Sequence, residues 1–85
     1  MEYKIEVLPY SPENGIQLKW DAEFKIEVKN NSKEIVIIAN QDGLKSLSRH
    51  LLTLAQDNVP SGSHIHLDEW NSLEAGSAEI ILQRE

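Results

Sequence analysis

The sequence predicts a two-layer α+β domain: an antiparallel or mixed sheet of five to six strands, with one amphipathic helix at about residues 41–57 packed on one face. Three observations predict it. The stretch Asn40 to Asn58 carries leucine at helical spacing, and no other stretch does. From Ile16 to Val28 every even position is apolar, which is the period of a strand. Further short apolar runs are separated by Asn, Gly, Pro and Ser, the residues of turns.

In chain order, Tyr3, Ile5 and Val7 alternate with Lys4 and Glu6, so residues 3–8 read as a half-buried strand. Pro9, Pro12 and Asn14-Gly15 make the next stretch a turn. Ile16, Leu18, Trp20, Ala22, Phe24, Ile26 and Val28 then share one parity. They form either one long strand or two parted by a bend near Asp21, and ordinary strand lengths favour two. Asn30-Asn31-Ser32 is hairpin-turn chemistry. Residues 33–39, KEIVIIA, are apolar on both parities, the pattern of a central strand covered on both faces.

The helix places Leu44, Leu47, Leu51, Leu54 and Ala55 on one stripe, widened by Leu52, and this stripe is the expected core face. Asn40 is placed to cap the first turn, and Asp42 suits the positive end of the helix dipole. Gly43 costs about 1 kcal/mol against alanine in a first turn, so a close approach of other backbone is its natural explanation. After a loop at 58–63, His64 to Asp68 reads as a strand with Ile65 and Leu67 inward. Residues 69–77 connect it to a last strand, AEIILQR, with Ile80 and Leu82 inward, and the two form an antiparallel hairpin.

Eighty-five residues make one domain, residues 1–85. Fourteen acidic residues against eight basic give a net charge of −6, which repels phosphate backbones and argues against nucleic acid as a partner. The same charge attracts a partner with a basic face. No run approaches the roughly 18 apolar residues of a membrane span, MEYKIEVL lacks the build of a signal peptide, and there is no cysteine. A cytoplasmic protein that engages no membrane is the expectation.

His64 and His66 are the feature most like a site. Alternate strand residues stand about 6.6 Å apart on one face, so two imidazoles there are able to share a metal ion. Zinc sites want a third protein ligand. Asp68 lies about 13 Å along from His64, too far without a bend, which leaves His50 and Glu79 as candidates from other elements. A metal-dependent hydrolase or metal-binding protein on His64 and His66 is therefore the alternative reading. Ser63-His64 sets a nucleophile and a base facing apart, and no G-x-S-x-G elbow or glycine-rich phosphate loop is present. No catalytic residue and no cofactor are assigned. Trp20 keeps the inward parity and reads as core, whereas Trp70 stands beside Asp68 and Glu69 and reads as a contact residue.

From Asn40 to Leu82 the chain resembles immunity protein 32, a bacterial family encoded beside polymorphic toxins. The residues that carry the likeness are Ala39-Asn40 leading into Gly43-Leu44, Leu47, Leu51-Leu52 and Leu54-Ala55. Gly62-x-His64-x-His66-Leu67 and then Leu73 with Gly76-Ser77 complete it. The resemblance implies a small α+β antidote that is not an enzyme and that neutralises a cognate toxin by protein–protein contact. Its contact surface is expected at His64, His66, Asp68, Glu69 and Trp70, with Glu74 and Glu79 as an acidic rim. The toxin is expected to be basic. A homodimer covering the apolar second face of the sheet is a further expectation.

Overall fold

A computed structural model describes residues 1–85. It contains four strands and one helix: β1 Ile26–Asn31, β2 Glu34–Ala39, α1 Gln41–Leu54, β3 His64–Leu67 and β4 Ile80–Gln83. The α+β class is as predicted. The single sheet of five to six strands is not: β1 pairs only with β2 and β3 only with β4, as two separate antiparallel hairpins.

β1 and β2 are joined by a two-residue turn in which Ser32 takes the positive φ of 59° that the sequence suggested for asparagine. Beyond β1, on the edge away from β2, runs the connection from β3 to β4. Glu74 N–H donates to the Ile26 carbonyl (2.8 Å) and Ala78 N–H to the Val28 carbonyl (2.9 Å). The Val28 N–H donates to Ser77 Oγ at 3.1 Å. These bonds tie the two hairpins together. Between them lies the core of Ile26, Val28, Leu54, Val59, Ile65, Leu67 and Leu73.

Residues 3–8 and 16–24 form no strands, although their alternation predicted them. Ile16, Leu18, Trp20 and Phe24 do turn towards the core on their shared parity, and Trp20 stacks on Phe24 at 4.5 Å. A turn at Ala22–Glu23 breaks the run near Asp21, so only its end, from Ile26, becomes a strand. The period of two recorded an extended chain lying on the core, with no ladder beside it.

The missing ladder is replaced by side chains of α1 and its flanks, which bond the backbone of the first 25 residues. Arg49 Nε donates to the Glu6 carbonyl (3.0 Å) and Nη1 to the Lys19 carbonyl (3.1 Å). Ser46 Oγ accepts from Asp21 N–H, and Asp42 Oδ2 from Glu23 N–H. Asn40 Nδ2 donates to the Glu23 carbonyl, while its Oδ1 accepts from Lys25 N–H. Gln56 holds Leu8 and Tyr10, and Asn58 donates to the Tyr10 carbonyl. Buried backbone polar groups must be satisfied, and here polar helix side chains do it.

That requirement inverts α1. Its buried residues are Gly43, Ser46, Arg49, His50, Thr53 and Leu54, whereas Leu44, Leu51 and Leu52 are exposed. Of the predicted core stripe, Leu54 is buried and Leu47 packs partly, but Leu44, Leu51 and Ala55 face outward. The helix also stops at Leu54, short of residue 57, with Ala55 as its C-cap. Its start is as predicted, since Asn40 Oδ1 accepts from Gly43 N–H at 2.8 Å. Gly43 is explained as well: a Cβ there would lie 2.6 Å from the Lys25 carbonyl oxygen and 2.9 Å from Ile26 Cγ1.

The second correction concerns β2. Predicted as a central strand covered on both faces, it is an edge strand whose residues Glu34 to Ile38 are all exposed. No strand pairs with its far edge, and the helix that was to cover it is occupied with the N-terminal segment.

Candidate functional site

In the β3–β4 hairpin His64 opposes Gln83 and His66 opposes Ile81, while Ile65 and Leu67 oppose Leu82 and Ile80. Ile65 and Leu67 are buried, so both histidines and Ile81 are forced onto the outer face. The alternation predicted from sequence holds here, because this hairpin has one core face and one open face.

The imidazoles of His64 and His66 meet edge to face, with centroids 4.9 Å apart. His64 Nδ1 lies 3.0 Å from the Gly62 carbonyl oxygen, and His66 Nδ1 lies 3.2 Å from Glu79 Oε2. Both neighbours are acceptors, so it is an N–H at Nδ1 that donates in each contact. Glu79 therefore joins the pair, as the sequence allowed. His50 does not: it is wholly buried, edge-on to Trp20 at 4.3 Å. No group of three or more His, Cys, Asp or Glu residues is placed to hold a metal ion. The arrangement lacks the third ligand that the metal alternative needs.

Asp68 ends β3 by folding back on the turn that follows. Its Oδ1 accepts from the N–H groups of Trp70 (2.9 Å) and Asn71 (3.0 Å), and its carbonyl accepts from Leu73 N–H (2.9 Å). Asn71 completes the knot, accepting from Asp68 N–H and donating to the His66 carbonyl at 2.9 Å. Glu69 Oε2 accepts from Gly76 N–H at 2.8 Å. The turn thus fixes the backbone beneath Trp70, a residue 88% exposed. A large aromatic on a braced turn has lost little freedom when it meets a partner.

The structure brings His64, His66 and Glu79 together on the outer face of β3–β4 and sets Asp68, Glu69 and Trp70 on the adjoining turn. Glu74 is drawn away towards Lys25, its carboxylate 3.9 Å from the ammonium. Sequence reasoning missed the pair of buried Arg49 and half-buried Asp21 (2.9 Å). Hydrogen bonds from Arg49 and Ser46 hold the Asp21 carboxyl below its usual range. Burial pushes the His50 imidazole down to about 4, with the Arg49 charge helping, so it is neutral near pH 7. Neither of its ring nitrogens has a partner. These groups form the seat of the N-terminal segment and lie away from the histidine face.

Fold and site together define a small α+β domain whose candidate groups lie on an open surface. The family model described as Immunity protein 32 matches residues 34–85, from the start of β2 to the end of the chain, and the chain belongs to that family. Neither the curated proteins nor the solved structures contain a match. No helix is long and apolar enough to cross a membrane.

Proposed function

We propose that this chain is an immunity protein that binds a cognate bacterial toxin and neutralises it by protein–protein contact, without catalysis of its own. Membership of the Immunity protein 32 family supports the partner class. The observation that carries the contact surface is Trp70, almost fully exposed on a turn that Asp68 and Asn71 brace. Tryptophan is among the residues most often found as interface anchors. Around it, His64, His66, Asp68, Glu69 and Glu79 form the contact surface, with Glu74 at its margin. The carboxylates and the net charge of −6 favour a toxin with a basic face and speed its approach. The whole of residues 1–85 acts as one domain in the cytoplasm.

Co-expression with a candidate toxin from a neighbouring gene tests the reading. Growth is expected to be rescued, and the two proteins are expected to co-purify. Replacing His64, His66 and Trp70 together by alanine is expected to weaken binding by more than about 2 kcal/mol, roughly thirtyfold. A loss within about 1 kcal/mol would place the contact surface elsewhere.

A further inference from the structure

Ile35, Val36, Ile37 and Ile38 are 66%, 37%, 46% and 47% exposed, four consecutive apolar side chains on a strand that is paired along one edge only. Alternate backbone groups of β2 are open as well. Ile26 and Val28 turn their carbonyls to the edge of β1 remote from β2, where Glu74 and Ala78 donate to them. Antiparallel strands alternate, so Glu27 and Lys29 turn towards β2 and bond Ile38 and Val36, their register partners. Ile35 and Ile37 consequently aim their N–H and C=O groups at the outer edge of β2, where no group of the protein meets them. Proteins ordinarily blunt such an edge with proline, an inward charge or a bulge, and Ile35 to Ile38 contain none of these.

We infer that β2 pairs antiparallel with β2 of a second copy of this chain, about a twofold axis at Val36, giving one continuous four-stranded sheet across the dimer. In that register Ile35 of each copy opposes Ile37 of the other, and the four free N–H and four free C=O groups satisfy one another. A twofold axis requires a self-complementary edge, and this one offers the same donors and acceptors read in either direction.

Area and charge single out a second copy as the occupant. The chain exposes 6038 Å², where a folded monomer of this size exposes roughly 5,100 Å². The excess of roughly 900 Å² matches the roughly 800 Å² that each partner hides in a standard interface. The radius of gyration, 13.4 Å, likewise exceeds the roughly 12 Å of a compact chain of 85 residues. The segment from Lys25 to Ala39 holds three lysines and two glutamates, a net +1 on a chain of −6, so the remainder carries −7. A basic partner is drawn to that remainder, whereas two like-charged copies repel each other least along β2.

Sedimentation of the full chain over a rising concentration series, with amide hydrogen exchange at both ends of the series, tests this. The mass is expected to double, and the amides of Ile35 and Ile37 are expected to become protected as it does. Ile37→Pro removes one donor per copy without touching the ladder to β1 and is expected to weaken the dimer at least about tenfold. Ile37→Lys serves as a second variant at a site where the monomer already tolerates solvent. Alanine at His64, His66 and Trp70 is expected to leave the dimer unchanged, which keeps this inference separate from the toxin-binding reading. A monomer at every concentration, a dimer indifferent to both Ile37 variants, or a dimer whose Ile35 and Ile37 amides stay unprotected would overturn it.

Discussion

β1–β2 and β3–β4 are hairpins of similar make, each two short antiparallel strands with an open outer edge. They differ in what they show to water. β3–β4 keeps Ile65, Leu67, Ile80 and Leu82 inward and presents His64, His66 and Glu79 beside a single exposed isoleucine, Ile81, a face rich in hydrogen-bonding groups. β2 presents isoleucine and valine on both faces together with unpaired backbone. A hydrated face suits a partner that comes and goes, whereas an apolar edge suits a partner that is always present. The difference traces to α1, whose polar side is given to the N-terminal segment and so cannot cover β2.

The largest effect expected to sharpen this contrast lies within β2 itself. Val36→Pro removes a ladder bond to Lys29 and is expected to cost about 3 kcal/mol or more, read by urea unfolding at low concentration. Ile37→Pro, one residue on, is expected to leave the isolated monomer within about 1 kcal/mol of the parent, because its N–H faces solvent. Equal losses at the two positions would mean that the outer edge of β2 is not the open one.

Acid acts on the seat of the N-terminal segment. An unfolded histidine titrates near 6.5 and buried His50 at about 4. Between those values the unfolded chain binds a proton that the folded chain refuses, so stability falls as pH drops through that window. The loss from His50 reaches at most about 3 kcal/mol. Asp21, held low by Arg49 and Ser46, adds a further loss in the same direction at lower pH. His50→Phe is expected to flatten the slope between pH 6.5 and 4 in denaturant titrations, and an unchanged slope would assign it to other groups.

Gly43→Ala probes the docking of β1 on α1. The methyl group gains about 1 kcal/mol of helix propensity but must displace the Lys25 carbonyl and Ile26, and overpacking costs about 1–3 kcal/mol. A net loss of about 1 kcal/mol in thermal or urea unfolding is expected, and a net gain would show that the contact yields freely. The smallest effect on folding is expected from the other hairpin. Alanine at His64, His66 and Trp70 is expected to change stability by less than about 0.5 kcal/mol each, since all three are exposed.

Much of this was legible in the sequence, and the failures share one cause. The cap at Asn40, the reason for Gly43, the β3–β4 hairpin and its outward histidines all follow from local chemistry, which the fold respects. The α1 stripe and β2 were read inside out because apolar periodicity assumes that the core is apolar throughout. Here Arg49, Ser46 and Gln56 are turned inward by the unpaired backbone of Glu6, Lys19, Leu8 and Asp21, an arrangement with no sequence period. Ile16, Leu18, Trp20 and Phe24 show the same limit from the other side, since extended chain on a core alternates whether or not a neighbouring strand bonds it. The histidine pair was visible as a motif, but the bracing of Trp70 by Asp68 and Asn71 needed the folded turn.

The most direct test of the division of labour between the two hairpins is to titrate isotope-labelled protein with its cognate toxin and follow the backbone amides and the Trp70 indole. The account predicts that signals from His64, His66 and Trp70 move on binding while those of Ile35 and Ile37 hold still. Movement confined to β2, with Trp70 unperturbed, would contradict it.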